Sequence, residues 1–187
     1  MIFHFNGRFN GEPETLPGRE HEPGYVPFKE PGPKKLALVL NIIAVVITIP
    51  LVIIVKSVSG GTSLKELLAA LAMFFASIPI HEFIHALMFK EDVYMYTWLN
   101  KGICFVIGPE LMSKSRFVLM SIMPNIVFGF LPFILFCIFP NFGWLGWLGA
   151  ASIGCGAGDY MNIFNCLTQV PTGAKIYMHG LSSFWVR

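Results

Sequence analysis

Apolar residues gather along this chain into four long runs, each closed off by charge, proline or glycine. The first, LALVLNIIAVVITIPLVIIV at residues 36–55, has Lys34 and Lys35 before it and Lys56 after it. A helix of about 20 such residues reaches across the hydrocarbon of a bilayer, so the run predicts a membrane span. A second run begins near Leu64 and continues to about Phe89, with Lys65 and Glu66 at its entrance. The third, roughly residues 117–139, is interrupted by Pro124 and Pro132. Each proline lacks an N–H, so each should bend the helix and leave a carbonyl unpaired. The fourth, residues 142 to about 167, opens with the small-residue stretch GWLGWLGAASIGCGAG, where Gly154 and Gly158 predict close helix contact.

Between the second and third runs the pattern changes. Residues 90–116 are polar and contain VYMYTWLNKGICFVIG, a turn-like NKG between two runs rich in aromatic and β-branched residues. That pattern predicts a hairpin. The fold expected is therefore an all-α polytopic membrane protein of about four transmembrane helices, with a short β-hairpin-like cytoplasmic loop between helices 2 and 3. Residues 1–35 read as a loose, Pro/Gly-rich tail without the apolar core of a signal peptide, touching the membrane through Phe3, Phe5 and Phe9. Residues 36–170 read as the four-helix membrane domain, and 171–187 as a short tail. Lys34, Lys35, Lys90, Lys101, Lys114, Arg116, Lys175 and Arg187 fall on one side of this arrangement, against Lys56 and Lys65 on the other. The excess places both termini of a multi-pass cell-membrane protein in the cytoplasm.

Composition sharpens the picture. The chain is 55% hydrophobic and only 13% charged, about half the charged share of a soluble domain. Its lipid-facing surface makes the bilayer its first partner. A formal net charge of +2, with no basic cluster beyond Lys34 and Lys35, excludes nucleic-acid binding. The four cysteines are scattered with no CxxC pair, so they build no disulfide framework.

Against that apolar background SIPIHEFIHALM, residues 77–88, is costly. Ionisable groups inside a span mark a functional interior. His81 and His85 are four apart and project from one helix face, a spacing that grips one zinc ion. Glu82 stands beside them as a general base. A catalytic zinc takes three protein ligands and keeps a fourth position open. The third is expected from Asp159, one of two aspartates, which follows the small residues GCGAG; His179 and Cys155 remain alternatives. Asn162 could support the ligands, and Asn125, after Pro124, could hold a substrate backbone. Pro79 should open the second helix toward water, while His4 and His21 are expected in solvent. A closed structural zinc site in a non-catalytic scaffold is a rival reading, and a metal transporter a more distant one.

These residues resemble a known group. HEFIH in an early span, Pro124-Asn125 in a middle one and Asp159 in a late one look like the site-2-type intramembrane zinc metalloproteases. HEFIH and GAGDYMNIFNCLTQVPTGAKIYMHG are more narrowly similar to the DUF3267 family of zincin peptidases. The resemblance implies that His81, His85 and Asp159 bind zinc, that Glu82 is the base, and that the substrate is a membrane-anchored protein or peptide cut in or near its span. Tyr160 stands where the wider clan has glycine after the aspartate.

Overall fold

The structure, a computed structural model, describes residues 1–187. Strands β1 (Phe3–Arg8) and β2 (Val26–Pro27) precede the long helices α1 (Pro33–Ser59) and α2 (Leu64–Leu87). A hairpin of β3 (Val93–Trp98) and β4 (Ile103–Ile107) follows, then β5 (Met112–Ser113). Helix α3 (Lys114–Asn125) passes through a π-helical turn, Ile126–Phe130, into α4 (Leu131–Ile138). Helices α5 (Gly143–Cys155) and α6 (Ala157–Gln169) lead to a last hairpin, β6 (Lys175–His179) and β7 (Ser182–Val186). Helix makes up 58% of the chain and strand about 17%, which corrects the all-α expectation. The polar segments outside the long helices satisfy their backbone groups by pairing with one another.

The chain divides into two compact units. One comprises Met1–Lys29, Glu82–Ser121 and Asn162–Arg187; the other comprises Glu30–His81 and Ile122–Met161. The boundary runs through the uncut helices α2, α3 and α6.

The second of these units is helical. Three stretches, Pro33–Ser59, Leu64–Leu87 and Lys114–Ile138, are long and apolar enough to cross a membrane. The start of α2 is set by a capping box: Ser63 Oγ accepts the Glu66 N–H (3.2 Å), and the Glu66 carboxylate accepts the Ser63 N–H (3.1 Å). The expected fourth span is instead two helices, α5 and α6, of 13 residues each. At 1.5 Å per residue each covers only about 20 Å. The break falls at Gly156, which caps α5. The anticipated Gly154–Gly158 contact face is also corrected. A methyl group at Gly154 would strike Thr48 of α1 and one at Gly156 would strike Asn125, whereas Gly158 faces open space. Val55, Phe136 and Ala150 form the buried centre of this unit.

The other unit carries the sheets. β1 lies parallel to β3, which pairs with β4, while β2, β7, β6 and β5 make an antiparallel sheet in that order. The hairpin expected around NKG is present, with Tyr94 opposite Ile107 and Trp98 opposite Ile103. Gly102 takes the left-handed backbone (φ 66°) that closes its turn. Residues 1–29 are not a loose tail. Phe9 and Leu16 are buried with Tyr96 and Ile107, and Phe28 is buried with Ala86, Phe89, Val93 and Phe117. His4 is half-buried and stacks on Tyr94, while His21 is exposed as expected, with its Nδ1 3.0 Å from the Tyr177 hydroxyl.

Candidate metal centre

Helix α2 places His81 and His85 one turn apart on one face. His85 Nδ1 lies 2.9 Å from the carbonyl oxygen of Met120 in α3. A carbonyl can only accept, so Nδ1 carries the proton and Nε2 is the nitrogen that carries the lone pair. That carbonyl is open for a local reason. Its helical partner would be the N–H of residue 124, and Pro124 has none.

Asp159 sits in the first turn of α6, just beyond the Gly156 break. The N-terminal end of a helix favours negative charge, which suits a carboxylate. Asp159 Oδ2 is 3.3 Å from His81 Nε2, with side chains 15% and 23% exposed respectively. The same oxygen accepts a 2.7 Å hydrogen bond from Asn125 Nδ2. Asn125 Oδ1 in turn accepts from the Tyr160 hydroxyl at 3.3 Å. Asn125 is fully buried, and the bare backbone of Gly156 makes room for its amide.

The ligand atoms of His81, His85 and Asp159 all lie within 4.8 Å of one another. Two imidazoles and a carboxylate, one ring with its outer nitrogen already engaged, form a donor set that suits zinc. Glu82 follows His81 directly. Burial first, and then the negative charge of Glu82, push the Cys104 thiol of β4 above its usual value.

The C-terminal end of α2 is held firmly. Arg116 Nη2 donates to the Met88 carbonyl at 2.7 Å, and Nη1 to Glu110 Oε1 at 2.7 Å. Glu110 Oε2 accepts the N–H groups of Lys90 and Glu91. Burial alone would raise the Glu110 carboxyl, but Arg116 and those two amides outweigh it and hold it below its ordinary value.

The remaining expectations fall out as follows. His179, on β6, has its Nδ1 2.8 Å from the Arg19 carbonyl, and Cys155 ends α5 with its side chain exposed; neither joins the three-residue group. Asn162 follows Asp159 by one turn of α6. Asn125, expected to position substrate, donates from its buried amide to Asp159 and accepts from Tyr160. Sequence reasoning missed Tyr160 and the specific use of the Met120 carbonyl. The signal for the latter was Pro124, four residues later.

A sequence-family model, DUF3267, described as "Putative zincin peptidase", matches residues 74–175, just over half of the chain and all of the residues above from His81 to Asp159. No curated protein and no solved structure matches the chain.

Proposed function

Because the chain belongs to the DUF3267 family of zincin peptidases, we propose that it is a zinc metallopeptidase cutting membrane-anchored proteins or peptides within the bilayer or at its edge. The observation that carries this reading is the convergence of His81, His85 and Asp159, with Glu82 next in sequence to the first of them. Three protein donors are the pattern of a catalytic zinc, whereas a closed structural site takes four. Zinc bound by these three side chains would supply Lewis acidity, polarising the scissile carbonyl and lowering the pKa of water toward neutrality.

The side chains do the rest. Glu82 takes the proton of the attacking water and hands it to the leaving amine nitrogen. His85 stays in one tautomer through its bond to Met120. Asn125 fixes the Asp159 carboxylate, and Tyr160 fixes Asn125. The substrate must enter unwound, because a helical peptide keeps its carbonyls occupied. β4 has a single neighbour in its sheet, so its other edge offers N–H and C=O groups to an extended chain. The three long apolar helices support a membrane setting, and the distribution of lysine and arginine supports cytoplasmic termini.

Replacing Glu82 with Gln tests the base. The variant should keep wild-type zinc content while cleavage of a co-expressed membrane substrate falls by roughly 10²–10⁴-fold. Undiminished cleavage would remove Glu82 from the mechanism.

A further inference from the structure

We propose that Pro124 is a positioning residue of the metal centre, acting by what it lacks. Having no N–H, it keeps the Met120 carbonyl open as the acceptor for His85 Nδ1. This inference rests on the metallopeptidase reading and names the backbone device that orients the second histidine.

In an unbroken α-helix the carbonyl of residue 120 is consumed by the N–H of residue 124. Here residue 124 is proline, and the carbonyl oxygen lies 2.9 Å from His85 Nδ1 instead. Met120 is 6% exposed and Pro124 is fully buried, so water offers the freed oxygen little alternative. An unpaired carbonyl at such a place would be expensive, and the imidazole N–H removes that cost. The bond does three things together. It satisfies the carbonyl, fixes the rotation of the ring, and settles the proton on Nδ1 so that Nε2 presents its lone pair. The next residue, Asn125, donates to Asp159. One turn of α3 thus orients two of the three candidate ligands.

Pro50 and Pro79, inside the other two long helices, serve as internal controls. Pro50 in α1 frees the carbonyl of Val46, and Pro79 in α2 frees that of Phe75. Val46 is 64% exposed and Phe75 is 60% exposed, so both freed carbonyls belong to outward-facing residues. Only at Pro124 does the missing donor coincide with a buried acceptor bonded to a candidate ligand.

The test restores the donor. Pro124→Ala returns an N–H to the position four residues beyond Met120 and draws the carbonyl back into the helix. Zinc affinity of the purified full chain in detergent is measured by competition with a chromogenic chelator, alongside the melting temperature of the zinc-free protein. The expected result is zinc binding about 10–100-fold weaker, the loss typical when a ligand's outer partner is removed. The zinc-free protein should melt at the same temperature or higher, because alanine suits a helix better than proline. Pro124→Gly restores the same N–H in a poorer helix former, so it should lose zinc affinity while melting lower than the alanine variant. Pro50→Ala should leave zinc affinity unchanged. Wild-type affinity in Pro124→Ala would overturn the inference, as would zinc losses that simply follow the melting temperature across the two variants. A wild-type chain that takes up no zinc would instead sink the metallopeptidase reading itself.

Discussion

Only 6% of the most apolar part of α1 is buried, against 33% along Lys114–Ile138, the stretch that contains α3. In water the oilier helix would be the one inside. Here the order is reversed, and the polar atoms explain why. α1 turns Val45, Val46, Ile49 and Ile53 outward and buries Val55 alone. α3 is put to use along its length: Arg116 holds the Met88 carbonyl, Met120 accepts from His85, and Asn125 donates to Asp159. Lipid rewards an apolar outer face and penalises unpaired polar groups, so a helix with polar work to do must be enclosed by partners. The two helices even spend their internal prolines differently, one toward the outside and one toward a ligand.

The contrast can be broken at the metal centre first, where the effect should be largest. Asp159→Ala removes a ligand and also takes the acceptor from the buried Asn125 amide. Zinc affinity should fall more than about a hundredfold, beyond the loss of an outer partner. An orphaned buried donor should cost about 1–3 kcal/mol in stability as well. Unchanged zinc stoichiometry with an unchanged melting temperature would mean that Asp159 is not held as described.

A smaller effect is expected at the first turn of α3. Arg116→Met leaves the buried Glu110 carboxylate without its cation and should destabilise the chain by roughly 3 kcal/mol at neutral pH. The pH dependence has a definite sign. Because the folded carboxyl is held below its ordinary value, its contribution is complete above about pH 4.3 and is lost as pH falls through the depressed folded value. Melting curves of wild type and variant should therefore converge in acid. Curves that stay equally far apart down to pH 2 would place the stabilisation elsewhere.

The smallest effect belongs to α1. Val46→Leu, on its outward face, should shift stability by less than about 0.5 kcal/mol and leave zinc binding alone. A larger penalty would show that this face is enclosed by something other than lipid.

What could be read from the residues alone follows the range of the interactions involved. α1 and α2 were legible because an apolar run is a local property, and the His81–His85 pair because one helical turn is local too. The β3–β4 hairpin announced itself through NKG. The parallel pairing of Phe3 with Val93 was hidden, since a strand after so distant a partner leaves no pattern in its own sequence. β2 and β5, two residues each, are too short to show alternation. The broken fourth run was misread because its glycines suit a close-packed span as well as a helix break. Asn125 was noticed, but its acceptor lies 34 residues away, and nothing nearby says whether an amide will meet a substrate or a neighbouring carboxylate.

The sheets also impose a rule of parity. Strands joined by hydrogen bonds lie about 4.8 Å apart, and no ladder of that kind can have a 30 Å oil layer between its members. β1 and β3 are partners, so whatever the chain does between Arg8 and Val93, it must make a round trip. Ser113 and Lys175 are partners too, which makes the passage between them a second round trip, however the short helices α5 and α6 share it. For a chain set in a bilayer, an odd number of crossings in either interval would tear a sheet apart, so that setting would require an even count without any appeal to charge.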